Sequence, residues 1–299
     1  ITLSNPDNEF ADKVNLRGKD VQVTDSTPLT LGDVETVGDL MVKGLGGLEF
    51  SGNTDVGGDL IADSGDGPMT DTGVIQVVGR STLMGGTGDI TLDSGNDFGG
   101  PVDAGGKDIQ ISDNSGGIVL GRITATGGLD VASSDGDITQ EQPETLTNRI
   151  KVDGQASFTA SDGATPEVFF DIELTNPDNE FADKVNLRGK DVQVTDSTPL
   201  TLGRVITSGD LTAKGVGGLE FNGDADVGGN LIADSHNGDI TQTGPLTVTG
   251  TSDLDAGTGD ITLLDVGNDF VGAVSANGDV VQINDKNALT LDKVTTAGD

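Results

Sequence analysis

At residues 3–14 the chain reads Leu-Ser-Asn-Pro-Asp-Asn-Glu-Phe-Ala-Asp-Lys-Val, and at residues 174–185 it reads Leu-Thr-Asn-Pro-Asp-Asn-Glu-Phe-Ala-Asp-Lys-Val. The identity continues to Gly32 in the first copy and to Gly203 in the second. A shorter period lies inside this repeat, because an Asn-Asp/Glu-Phe motif also occurs at 96–98 and 268–270. One structural unit has therefore been copied several times, which is the signature of a repeat architecture.

Apolar residues alternate with other residues in short triplets throughout the chain. The triplets lie at 1–3, 21–23, 29–31, 48–50, 90–92, 109–111, 192–194, 219–221, 261–263 and 281–283. A period of two predicts short strands with one buried face. Clusters of Gly, Asp, Asn and Ser separate them, and no sustained apolar stripe of helical period occurs. The chain is therefore predicted to be all-β, with strands of only about three to five residues.

Comparable positions recur at nearly equal steps along the chain. Ile1, Val21, Leu40 and Leu60 form one such series, and the second copy shows the same steps at Ile172, Val192, Leu211 and Leu231. Strands that return at a fixed interval stack as parallel strands of a solenoid. The sequence predicts a right-handed parallel β-helix (β-solenoid) with about 20 residues per turn.

The predicted organisation is one continuous solenoid segment over residues 1–299. Its repeats run over about 1–92, 93–171, 172–263 and 264–299, with a divergent insertion near 140–171. Loss or gain of a whole turn leaves the neighbouring turns stacked, so such an insertion is compatible with a solenoid.

The composition excludes several classes of partner. Fifty acidic residues face sixteen Lys and Arg, which gives a net charge of −34, and Cys, Trp and Tyr are absent. Such a charge disfavours nucleic acids and anionic membranes. No stretch approaches the roughly 18 apolar residues that span a bilayer. We therefore expect no nucleic-acid binding and no membrane insertion.

Two local patterns carry expectations about packing. Gly-Asp pairs precede strands at Gly88-Asp89 and Gly259-Asp260, where Gly is expected to adopt a positive φ while Asp bonds its own turn. In the Asn-Asp/Glu-Phe motif, Phe is expected to fill the core while Asn stacks on Asn or Asp of the adjacent turn.

The repeats resemble those of large secreted bacterial surface proteins of the filamentous haemagglutinin type, which are exported by the two-partner pathway, and related giant β-helix adhesins. The resemblance rests on a run of Gly-Asp-Ile-Thr-Leu, a short spacer and Asn-Asp-Phe-x-Gly-x-Val, followed by a Leu-Thr-Leu-Gly strand and a Gly-x-Leu-x-Val strand. The run stands at Gly259 to Val274, and parts of the pattern occur at Gly88 to Val102 and Leu29 to Val42. It covers nearly the whole chain. It implies a secreted, extracellular or cell-surface location in a bacterium and a place in the shaft of an adhesin.

Candidates for chemistry are few. A carbohydrate-cleaving β-helix needs two or three carboxylates beside a cation, and the place where repetition breaks offers Glu141, Glu144, Arg149, Lys151 and Glu167. A solvated loop is the favoured interpretation of that stretch. His236 stands alone and is interpreted as a surface turn residue. Calcium is the one metal considered, because Gly85-Gly86-Thr87-Gly88-Asp89 half matches a calcium β-roll repeat, but it is not iterated every nine residues.

The sequence therefore predicts a non-enzymatic protein with no catalytic, cofactor-binding or metal-binding residue. We expect a rigid rod or spacer of an extracellular filament or adhesin that supports adhesion or contact between cells. Self-association end to end or a longer parent chain is expected, with surface glycans or neighbouring cells as possible partners. A glycan-binding or glycan-cleaving β-helix and a calcium-stiffened matrix or surface-layer protein stay open as alternatives.

Overall fold

The structure is a computed structural model that describes residues 1–142, 148–165 and 167–296. It divides into two compact units, residues 1–154 and 155–299. Both are built of β-strands, and no α-helix occurs in the described parts of the chain. Those parts likewise contain no helix with the length and apolarity needed to cross a membrane.

The unit of residues 1–154 contains eighteen described strands. They are β1 (Thr2–Leu3), β2 (Val14–Gly18), β3 (Val21–Asp25), β4 (Leu29–Thr36), β5 (Leu40–Gly44), β6 (Leu48–Phe50), β7 (Thr54–Val56), β8 (Leu60–Asp63), β9 (Met69–Asp71), β10 (Ile75–Val77), β11 (Ser81–Met84), β12 (Ile90–Phe98), β13 (Val102–Gly106), β14 (Ile109–Asp113), β15 (Ile118–Ala125), β16 (Leu129–Ser133), β17 (Ile138–Gln140) and β18 (Ile150–Val152).

The unit of residues 155–299 contains eighteen more in its described part. They are β19 (Ala156–Ala160), β20 (Ile172–Leu174), β21 (Glu180–Phe181), β22 (Val185–Gly189), β23 (Val192–Asp196), β24 (Leu200–Thr207), β25 (Leu211–Gly215), β26 (Leu219–Phe221), β27 (Ala225–Val227), β28 (Leu231–Asp234), β29 (Ile240–Gln242), β30 (Leu246–Val248), β31 (Ser252–Asp255), β32 (Ile261–Leu263), β33 (Asp269–Phe270), β34 (Val274–Gly278), β35 (Val281–Ile283) and β36 (Leu291–Thr296).

Within each unit the strands stack in parallel, one turn above the next. In the first unit β3, β5, β8, β11 and β13 form one ladder, in which Val21 lies beside Leu40 and Leu40 beside Leu60. In the second unit β20, β23, β25 and β28 do the same. The prediction of a β-solenoid with about 20 residues per turn is therefore confirmed.

The core consists of stacked columns of aliphatic side chains. Outside 1–3 and 281–283, the outer residues of the predicted triplets are buried, as are Phe98, Phe181 and Phe270. Burying one such side chain contributes about 1.5–3 kcal/mol relative to its exposed state. Because every turn buries its own residues against the turns beside it, the stabilising contacts are distributed along each coil.

Five of the described strands are longer than predicted, and β36 is the shortest of these with six residues. β4, β12, β15 and β24 have eight or nine residues because each continues around a corner. The chain bends there through an extra residue, seen as register shifts opposite β2 and β22. A β-bulge allows a strand to turn without giving up its pairing.

A ladder of carboxylates runs along one corner of the first unit. Asp20 Oδ1 accepts the backbone N–H of Asp39 at 3.4 Å, Asp39 Oδ1 accepts that of Asp59 at 3.0 Å, and Asp59 Oδ1 accepts that of Arg80 at 2.8 Å. Each side chain therefore satisfies a backbone donor one turn further on, which strand pairing alone would leave open at a corner.

The second unit repeats this device. The Oδ1 atoms of Asp171, Asp191 and Asp210 accept the N–H groups of Asp191, Asp210 and Asn230 at 3.2, 2.9 and 2.7 Å. Asn230 Oδ1 then accepts the N–H of Thr251 at 2.9 Å. The ladder thus needs a side-chain oxygen at this distance from the backbone, and an amide supplies it as well as a carboxylate.

These ladders correct the expectation about the Gly-Asp pairs. Gly88 and Gly259 do not have a positive φ. A Cβ on either would lie 2.1 Å from the carbonyl oxygen of Gly67 or Gly238, so glycine is required by the close approach of the preceding turn. Asp89 and Asp260 likewise bond the following turn instead of their own, through the N–H groups of Asp108 and Val280.

The Asn-Asp/Glu-Phe motif behaves only partly as expected. Asn96 donates from Nδ2 to Asp71 Oδ2 at 2.7 Å, and Asn268 bonds Gln242, so these two contact an earlier turn through side chains. Asn8 and Asn179 instead donate to backbone carbonyls. The expected contact with Asn or Asp of another turn is therefore seen at Asn96, whereas Asn268 contacts a glutamine.

The corner ladder predicts a difference between two aspartates of equal charge. D39A removes the acceptor for the N–H of Asp59 and should lower the free energy of unfolding by about 1 kcal/mol. D39N should restore most of the loss, since Asn230 fills the same role. D55A is the matched control, because Asp55 is an exposed mid-strand residue outside the ladder. Urea unfolding of the three variants measures this, and equal losses in D39A and D55A would contradict it.

Candidate functional site

The residues proposed from the break in repetition are divided between the two units. Glu141, Arg149 and Lys151 belong to the first unit and Glu167 to the second, while Glu144 lies outside the described residues. Part of this stretch forms strands of the solenoid and not a loop, because β18 and β19 lie within it with alternate residues buried.

Glu141 belongs to an ion-pair cluster on the first unit. Arg80 binds Asp103 Oδ2 through Nη1 at 2.7 Å and binds Glu141 Oε1 through Nη2. All three side chains are only about a quarter to a third exposed. The hydrogen bond with Glu141, and then that with Asp103, raise the pKa of Arg80. One cation thus joins the corner before β11 to β13 and to the end of β17, an arrangement that holds turns together.

Glu167 makes a comparable pair on the second unit. Arg188 Nε donates to Glu167 Oε1 at 3.0 Å, Nη2 contacts Oε2, and Ser161 Oγ donates to Oε1 at 2.6 Å. The Arg188 guanidinium also lies over the ring of Phe169, 5.2 Å from its centroid. Arg188, followed by Ser161, lowers the pKa of Glu167. A glycosidase acid requires the opposite shift, so Glu167 is poorly suited to donate a proton.

The remaining candidates are the turn of residues 85–89, which half matches a calcium repeat, and His236. Among the described residues, no three His, Cys, Asp or Glu side chains lie close enough together to hold a metal ion. In the turn of residues 85–89, Thr87 N–H donates to Asp66 Oδ1 at 3.0 Å. His236 is exposed in a turn at φ 51°, where its counterpart in the first copy is Gly65, so its interpretation as a surface turn residue is confirmed.

Two shallow grooves, which the repeat pattern did not predict, share equivalent residues of β2 and β22 and of β4 and β24. The first, here the acidic groove, has a volume of about 430 Å³. Its outer side chains are those of Asn15, Arg17, Asp33, Glu35, Asn53 and Asp55. The second, here the arginine groove, has a volume of about 360 Å³. Its outer side chains are those of Ser157, Thr159, Asn186, Arg188, Arg204 and Ile206. The signal in the sequence was the change from Asp33 to Arg204 at a repeated position.

The comparisons with known proteins agree with this repeated organisation. A family described as repeats of unknown function (DUF5649) matches residues 44–105, 106–188 and 215–277, more than half of the chain. The chain belongs to the DUF5649 repeat family. No curated protein and no solved structure matches it. The resemblance to filamentous haemagglutinin therefore stays a prediction.

The DUF5649 repeats correspond to groups of turns of the solenoid. Two of the matched segments begin at Gly44 and Gly215, which are equivalent positions of the two sequence copies. These two segments, 44–105 and 215–277, each contain about three turns of the solenoid. The family's repeat is thus a set of turns, not a separate globular domain.

Two carboxyl groups with raised pKa values lie in the core and not in a groove. Asp113 and Asp196 are fully buried, and each accepts the backbone N–H of a motif Phe fifteen residues earlier, at 2.7 Å from Phe98 and 3.3 Å from Phe181. Burial raises the pKa of each to about 6, although the backbone N–H bonds oppose the shift. Their position fits the closing of a turn and not proton transfer to a ligand.

These two groups predict a pH dependence of stability. The folded pKa of about 6 exceeds the ordinary value of 3.8, so the folded chain binds protons more tightly than the unfolded chain. The free energy of unfolding should therefore fall as the pH rises from about 4 to about 6. Carboxyl ¹³C NMR should give midpoints near 6 for both, and the dependence should shrink in D113N/D196N. Midpoints near 4 would contradict the prediction.

Proposed function

We propose that this chain is a structural segment of an extracellular bacterial surface filament or adhesin, in which it acts as a rigid spacer. One observation supports this most: in each unit, parallel strands stack and pair from turn to turn. Such ladders distribute load over many backbone hydrogen bonds and over packed aliphatic columns. The proposed task is mechanical, and it follows from stacking instead of from a catalytic centre.

The charge of the chain suits this role. Each carboxylate of the corner ladders has two roles, because it accepts a backbone N–H of the next turn and contributes to an anionic surface. A net charge of −34 keeps neighbouring molecules apart and in solution. Secretion, attachment to the cell surface and end-to-end self-association or continuation in a longer parent chain belong to the same proposal.

Glycan cleavage is the weaker alternative. Arg188 holds Glu167 in its ionised form, and Arg80 binds Glu141 between turns. Glu141 does have Asp103 beside it, but both carboxylates are bound to Arg80, an arrangement that joins turns of the solenoid. We therefore propose that the protein is not an enzyme, and that calcium does not take part in its stiffness.

The proposal predicts shape, metal independence and location together. Small-angle scattering of the 299-residue chain should show an elongated particle, and a chelator should leave its melting temperature unchanged. Antibodies against the chain should label intact cells that make the parent protein, without permeabilisation. A compact particle would contradict the spacer role. A melting temperature lowered by the chelator would show that calcium contributes to stability. Labelling only after permeabilisation would contradict the surface location.

A further inference from the structure

The arginine groove is a local exception in a strongly anionic chain. It lies on the outer face of three paired strands, where Ser157 is beside Asn186 and Thr159 beside Arg188 in β19 and β22. Arg188 is in turn beside Ile206 of β24. The bulge at Gly203 and Arg204 forms one side, and Asn186 Oδ1 fixes it by accepting the N–H of Arg204 at 2.8 Å.

Several donors of this groove have no partner in the described part of the protein. Arg204 is exposed, and its guanidinium makes no ion pair there. The hydroxyl groups of Ser157 and Thr159 make no hydrogen bond there either. Arg188 is different, because Glu167 and the Phe169 ring hold its guanidinium in one orientation. The groove thus combines one oriented cation, one free cation and two free hydroxyls.

The acidic groove has the equivalent backbone with different side chains. There Arg17 pairs with Glu35 at 3.1 Å, and Asp33 stands where Arg204 stands in the second copy. At the position of Glu35 the second copy has Ile206, so Arg188 has no acidic neighbour on β24. Two differences at repeated positions therefore replace two carboxylates of the acidic groove by one arginine and one isoleucine.

We propose that the arginine groove binds a carboxylate-bearing saccharide. The free Arg204 fork can take a carboxylate with two parallel hydrogen bonds. Ser157, Thr159 and the amide of Asn186 offer hydroxyl and amide groups to sugar hydroxyls, and Ile206 offers an apolar surface to the face of a sugar ring. This inference deepens the proposed adhesive function, on which its biological meaning rests, by naming a ligand class and a site.

A polymer of phosphates fits the groove less well. Nucleic acids bind through many cations spread over a surface. Here two arginines stand in a chain of net charge −34, and Glu167 neutralises one of them. A short anionic sugar needs only the free guanidinium of Arg204 and the hydroxyl groups beside it.

The two grooves supply their own matched variants. Binding of hexagalacturonate should be measured by calorimetry at low salt, with neutral cellohexaose as the second probe. The wild-type chain should bind the uronate and not the neutral sugar. R204D/I206E, which converts the arginine groove to the residues of the acidic groove, should weaken binding at least tenfold. D33R/E35I, the reverse change, should add a second and weaker site, since no counterparts of Ser157 and Thr159 line the acidic groove.

Folding is a small risk in these variants, because each introduced residue already occurs at the equivalent position of the other copy. No binding of hexagalacturonate, equal binding of both sugars, or unchanged binding in R204D/I206E would overturn the proposal. Scattering and circular dichroism on the same samples test the elongated solenoid separately. Failure of the site would therefore leave the spacer role standing, and failure of the spacer role would leave a measured site.

Discussion

The structure depends on one geometric constraint, the fixed distance between successive turns. Parallel strands lie about 4.8 Å apart, so a side-chain oxygen at a corner reaches the backbone N–H of the following turn. Asp39 and Asp210 use this distance in the two units. The same closeness leaves no room for a Cβ at Gly88 or Gly259. The Gly-Asp pairs, the short strands and the aliphatic columns are all consequences of it.

In such a solenoid, functional residues are expected at positions where the repeated sequence changes and not where it stays the same. Inward positions are constrained by the turns on both sides, so Leu40 and Leu60 can vary little. Outward positions are less constrained by packing, and there Asp33 in one copy corresponds to Arg204 in the other. The repeated backbone provides the shape, while a few exposed substitutions provide chemistry on one turn. A strongly acidic solenoid can therefore carry two neighbouring arginines at outward positions of one copy.

The sequence was sufficient for the fold because the spacing of the repeats and the period of two report directly on stacking. Val21, Leu40 and Leu60 lie in the predicted register. It was insufficient for the corners, since the contact of Asp89 with Asp108 joins different turns and has no local signature. The pairing of Arg80 with Glu141 joins distant parts of the chain and was missed for the same reason. The grooves were missed because they arise at bulges, which alternation alone does not predict.

The register of the turns can be measured directly because the chain has no cysteine. Met41 and Ile61 face outward on adjacent strands, and Thr82 lies one turn beyond Ile61. Neighbouring parallel strands are within the Cα separation of a disulfide, whereas strands two turns apart are not. Under mild oxidation M41C/I61C should form an intramolecular disulfide and M41C/T82C should not. Equal cross-linking of both variants, or none in M41C/I61C, would contradict the stacked coil.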